Sequence, residues 1–185
     1  MVGLTSLWLP ILLSAVIVFV ASALIHMVLG YHWGDWRKVP GEDGVREAIR
    51  KAGVGPGNYL IPHPGTPKKM QTPEMIEKCK EGPVAFLFVQ PSGAPSMGKN
   101  LLQWFIYTLV AGIFTAYVAG RTLGPGADYL DVFRIAGTVA FLIYAGAEPL
   151  SSIWKGVRWS TTLKFLMDGL IYGLLTGGVF GWLWP

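Results

Sequence analysis

Asp168, Glu148 and His26 are ionisable residues inside stretches otherwise apolar enough to cross a membrane. Such residues usually face a bundle interior, where they mark a proton or ion path, a binding site or a buried pair. Asp168 lies about two helical turns into the last stretch, and Glu148 lies near the end of the third, directly before Pro149. His26 lies near the end of the first, one turn after Ser22 and on the same face. Four crossings would bring all three to one membrane surface. Lys164, four residues before Asp168, completes the candidate polar cluster. The cluster has three readings. One is a buried clasp, with Lys164 paired to Asp168, Glu148 accepting from Arg158 or Trp159, and His26 bonded to Asp168 or a carbonyl. The second is a proton or metal path, and the third a catalytic site.

Further candidates fall short. "HMVLGYHWGDW" adds His32 and Asp35, three apart, but two ligands do not make a metal site. His63 stands alone in a turn, and neither an HExxH nor a paired CxxC occurs, so no metal set is expected. A bis-histidine haem needs a histidine on each of two facing helices, and only His26 lies within an apolar stretch. "GVGPGNY" lacks the lysine and helix of a phosphate loop, and no serine sits in a GxSxG elbow. No catalytic residue is nominated, no motif names a cofactor, and the sequence makes no positive case for an enzyme.

The elements that must position these residues follow from composition. The chain has 185 residues, of which 52% are hydrophobic and 14% charged. Soluble domains carry about 25% charged residues, so a membrane protein is expected. A net charge of +4 without a long basic run gives no reason to expect nucleic acid, and the single Cys79 excludes an internal disulfide. Four stretches reach the roughly 20 apolar residues of a span: 7–30, 101–120, 132–153 and 161–184. The first lacks the basic start of a signal peptide and is longer than its apolar core, so it reads as a true span. Four crossings put Trp8, Trp182 and Trp184 at one interface and Trp33, Trp36, Trp104, Trp154 and Trp159 at the other. Lys155, Arg158, Lys164, Arg37, Lys38 and Lys99 place loops one and three in the cytoplasm and both termini outside.

Residues 31–100 are too long for a plain connection. Residues 41–53, "GEDGVREAIRKAG", carry acids at the start, bases at the end and a closing glycine, which predicts a helix. "TPEMIEKCKEG" predicts a second, with Thr72 as N-cap and Gly82 as the stop. "NYLIP" and "PVAFLFVQP" read as strands that could pair as a ribbon, and "QPSGAPSMG" as the turn into the second span, with Ser96 as an N-cap. The expected fold is an all-α membrane protein: a four-helix transmembrane bundle with a small α+β extramembrane cap. Residues 1–30 form span one, 31–100 the cap, and 101–185 spans two to four. Gly169, Gly173, Gly177 and Gly181 form an i, i+4 stripe, and Gly112, Ala116 and Gly120 a shorter one. Both would let helices approach closely, within the chain or between chains.

"LKFLMDGLIYGLLTGGVFGWLW" resembles the closing helix of an uncharacterised family of small four-span bacterial membrane proteins, through Lys164, Phe165, Asp168, Gly169, Tyr172 and the Gly178–Trp182 pair. "SALIHMVLGYHWGDW" is similar to that family's first-span exit, although the loop here is longer. The resemblance implies the fold and a bacterial inner-membrane location, and no activity. Taken together, the expected function is a non-catalytic accessory or scaffold subunit of a larger membrane assembly, touching lipid and other subunits or copies of itself. The alternative is a small oligomeric transporter or proton-conducting protein using His26, Glu148 and Asp168.

Overall fold

The computed structural model describes residues 1–94 and 96–185. Pro95, within the turn expected before the second span, lies outside the described residues. In chain order the elements are α1 (Trp8–Ala23), α2 (Glu42–Lys51), β1 (Gly57–Ile61), α3 (Pro73–Glu81), β2 (Ala85–Val89), α4 (Met97–Thr122), α5 (Tyr129–Ala145), α6 (Glu148–Lys155) and α7 (Trp159–Trp182). They form two compact units, Met1–Arg37 with Ser96–Pro185, and Lys38–Pro95. The boundary falls after Arg37, so Tyr31–Asp35, expected in the cap, folds with the long helices.

Four stretches of the first unit are long and apolar enough to cross a membrane: Leu4–Leu29, Met97–Thr122, Tyr129–Lys155 and Trp159–Trp182. Each overlaps a span expected from the sequence. At 26 residues, α4 is about 39 Å long, against a hydrocarbon core of about 30 Å. The third stretch is not continuous. It breaks at Gly146–Ala147, and α6 restarts at Glu148 with Pro149 in its first turn. Proline lacks an N–H, so the Ala145 carbonyl loses its helical partner and the helix breaks there.

The glycine stripe of α7 lies against α5. A Cβ at Gly173 would stand 2.9 Å from the Gly137 carbonyl oxygen, and one at Gly177 would stand 2.8 Å from that of Phe133. Gly169 abuts Ala145, and Gly181 abuts the Tyr129 ring. Backbones this close leave room for no side chain, so the two helices share a van der Waals seam. The shorter stripe of α4 meets the start of the chain, with Gly112 against Ile11, Gly120 against the Val2 carbonyl, and Ala116 buried. Leu7, Ala116, Val132, Ala136 and Phe180 form a core cluster at this end.

In the second unit, β1 and β2 pair antiparallel, with Tyr59 opposite Leu87. The α3 N-terminus is capped as expected, the Thr72 hydroxyl accepting from the Met75 N–H at 3.4 Å. Gly82, at φ 64°, ends the helix. Ser96 precedes α4 without a side-chain cap bond. Phe86 and Phe88 remain exposed on the ribbon.

Candidate functional site

The end of the first stretch leaves regular α-helix before it leaves the bundle. Leu24–Leu29 winds as a π-helix, Gly30 turns left-handed at φ 62°, and Tyr31–Asp35 follows as a 3₁₀ turn. Wide π turns re-aim side chains and recur at functional sites. Residues six apart on a regular α-helix point well away from each other. Here the wide turn and the Gly30 reversal stack His26 on His32, with centroids 4.5 Å apart and 28° between planes.

One face of α7 receives this segment. Arg158, Thr161, Lys164 and Asp168 recur at helical spacing, so all four face the same side. Arg158 donates to the carbonyls of Gly34 and Asp35, at 3.0 and 3.1 Å. The Asp35 carboxylate accepts from Thr161 Oγ1 at 3.0 Å and from Lys164 Nζ at 2.9 Å. Lys164 also donates to the Tyr31 carbonyl at 2.8 Å. Burial by itself would push the Asp35 carboxyl up. The hydrogen bonds from Lys164, Thr161 and His32, with the Lys164 charge, outweigh it and hold that carboxyl below the usual carboxylate range.

Asp168 is buried at 2% exposure and is the convergence point. The Tyr31 hydroxyl donates to its Oδ1. His32 Nε2 is 2.8 Å from its Oδ2, and His26 Nε2 is 3.8 Å from the same oxygen. On its other side, His32 Nδ1 is 3.0 Å from Asp35 Oδ2. His32 therefore lies between two carboxylates, and both contacts are hydrogen bonds only when the ring carries both protons. The Tyr172 hydroxyl stands 3.5 Å from His26 Nε2.

Beside this cluster opens a cavity of about 690 Å³, within the usual range of ligand sites. Its wall is aromatic: Trp104, Tyr144, Tyr172, Phe165 and Trp33. Tyr144 meets Tyr172 edge-on at 5.4 Å, and Trp104 Nε1 donates to Ser22 Oγ at 2.7 Å. The polar groups at the cavity include His26, Asp168, Asn100 and Glu148. Glu148 reaches it from the break in the third stretch, where Pro149 frees the helix start.

His26, Glu148 and Asp168 thus meet at one cavity, while Lys164 pairs with Asp35 and not with Asp168. Arg158, weighed above as a partner of Glu148, serves the Gly34–Asp35 backbone. The sequence reading missed that His32 and Tyr31 reach Asp168, because it treated His32 and Asp35 as an isolated pair. The signal was present in Gly30, a hinge between two histidines, and in the Arg158–Thr161–Lys164–Asp168 spacing. Of the helix-packing residues, Gly169, Gly173, Gly177 and Gly181 lie on the α5–α7 seam and Gly112 and Gly120 against the start of the chain; Gly169 alone among them touches the cavity. His63, in the second unit, accepts from the Gly65 N–H. Comparison with protein-family models, with curated proteins and with solved structures yields no match for the chain.

Proposed function

We propose that this chain is an integral membrane protein of four spans, with the α2–β2 unit outside the bilayer. Its function is to bind an amphipathic small molecule in the cavity between Trp104, Tyr172 and Asp168. The observation that carries this reading is the composition of that cavity. An aromatic wall suits an apolar or planar body, and His26, Asp168 and Glu148 supply a few convergent polar groups for its head. A plain clasp would bury its polar groups without leaving ligand-sized space beside them. The same groups support the transporter alternative, because a carboxylate and a histidine at a cavity are the usual parts of proton-coupled binding.

The test is mass spectrometry of organic extracts from protein purified out of its own membranes. An amphipathic compound should be enriched with the wild type and depleted with Trp104→Ala. Extracts that match detergent-only controls would remove this reading. The accessory-subunit reading is favoured by a different observation, the exposed Phe86 and Phe88 on the ribbon. A stoichiometric protein partner that leaves with Phe86→Ser and Phe88→Ser would support it.

A further inference from the structure

We propose that His26, His32 and Asp168 bind a divalent first-row transition-metal ion whose remaining coordination positions face the aromatic cavity. This deepens the cavity reading, and rests on it only for the molecule that would complete the coordination. The three side chains offer two imidazole nitrogens and one carboxylate oxygen, all within 4.8 Å of one another. Two ligand atoms on a tetrahedral ion, each bonded at about 2.0–2.1 Å, stand about 3.3 Å apart. The measured Nε2–Oδ2 separations of 2.8 and 3.8 Å bracket that value.

The ligands are also supported from behind. A metal-bound histidine usually donates its other ring N–H to a carboxylate, which fixes the tautomer and orients the ring. His32 Nδ1 meets Asp35 in this way, and Asp35 is held in turn by Thr161 and Lys164. The Tyr31 hydroxyl holds the second Asp168 oxygen, leaving Oδ2 to face the two histidines. A hydrogen-bonded clasp needs only one histidine on Oδ2, whereas here a second ring nitrogen approaches the same oxygen. His26 has room to bring its Nε2 to the ion. Its side chain is 39% exposed, and it lies between the large cavity and a smaller one bordered by Trp33 and Trp36, so it has space.

Two histidines and one carboxylate leave positions open, the ligand count of catalytic zinc and of non-haem iron(II) sites. With no thiolate in the set, soft-metal binding is not favoured.

Co²⁺ is the probe, added to the chelator-stripped full-length protein in detergent and followed by its visible absorption and by metal analysis. The expected result is saturable uptake of a single Co²⁺ per chain. His32→Ala and Asp168→Asn should weaken it by more than about 100-fold, beyond the range seen for outer partners, and Asp35→Asn by about 10–100-fold. His63→Ala should change nothing. Should Asp168→Asn fail to fold, His26→Gln, at a half-exposed position, carries the test. Absence of saturable uptake, or uptake indifferent to the His26 and His32 variants, overturns the proposal. Failure here is distinguishable from failure of the cavity reading, because the organic extract is assayed separately and Trp104→Ala should keep its Co²⁺.

Discussion

The two ends of the long-helix unit are built on opposite principles. At one end Leu7, Val132, Ala136 and Phe180 are fully buried, and glycines bring α7 against α5 until a single Cβ would collide. At the other, regular helix is abandoned twice, in the π turn before Gly30 and in the break before Glu148. There, large rings stand among small residues such as Ala23 and Gly169, and a cavity remains. Small residues maximise backbone contact and leave nothing to bind. Large rings on irregular backbone leave a gap, which His26, Asn100, Glu148 and Asp168 border. The difference sets a close-packed seam against an end held by hydrogen bonds around an open cavity.

The largest effect should come from the packed end. Gly177→Leu forces a side chain into the Phe133 carbonyl and the Gly137 backbone. Its cost should reach at least the upper end of the ~1–3 kcal/mol typical of overpacking. Size-exclusion profiles and thermal melts in detergent should show loss of the folded species. A well-folded Gly177→Leu protein would show that the seam does not depend on its glycines.

Asp168→Ala comes next. It removes an acceptor from Tyr31 and His32, two hydrogen bonds to an ionisable group at about 1.5 kcal/mol each, so a loss near 3 kcal/mol is expected. A melt as stable as wild type would show that the polar end contributes nothing to the fold.

These two positions also mark how far the sequence could be read. The α7 glycines were legible because their i, i+4 spacing has one physical use, and close packing on α5 is where they lie. Four long apolar stretches were legible from length and composition alone. Helix α3 followed from Thr72 and Gly82, α2 from the acids at its start and the bases at its end, and the ribbon from the bounded apolar runs. The polar end was legible only as far as His26, Glu148 and Asp168 near one surface. His32 was not placed there, because a π turn followed by a left-handed glycine defeats the 3.6-residue spacing on which such reasoning depends. Lys164 was paired with its helical neighbour, whereas its partner, Asp35, comes from a segment 129 residues away.

Gly30→Ala strains the hinge between His26 and His32. A non-glycine residue at φ 62° costs about 1–2 kcal/mol, and its Cβ would approach Trp33 Cδ1 at 3.2 Å. The melt should shift by a corresponding few degrees, and Co²⁺ uptake should weaken as His32 is displaced. Loss of stability without loss of uptake would uncouple the hinge from the site.

Asp35 gives a pH dependence with a definite sign. Its carboxyl is held below the usual range in the folded protein. Its contribution is therefore fully present above about pH 4, the ordinary carboxylate value, and is lost as pH falls through the lower folded value. The gap in melting temperature between wild type and Asp35→Asn should be widest near neutrality and should narrow in acid. A gap that widens on acidification would contradict the assignment of Lys164, Thr161 and His32 as its partners. The smallest effect belongs to Lys78→Ala, which removes an exposed pair with Glu74 on α3 and should leave the melt unchanged.

The most direct test of a binding end opposite a packing end is to fill the cavity from its own wall. Ala23 lines it from the end of α1, outside the His26–His32–Asp168 cluster, and Ala23→Phe adds a ring to that wall. Native mass spectrometry in mild detergent would compare the intact masses of wild type and variant. The expected result is a wild-type chain carrying a small-molecule adduct, and an equally well-folded Ala23→Phe chain without it. A wild-type chain that flies bare, or an adduct that survives the filled cavity, would contradict it.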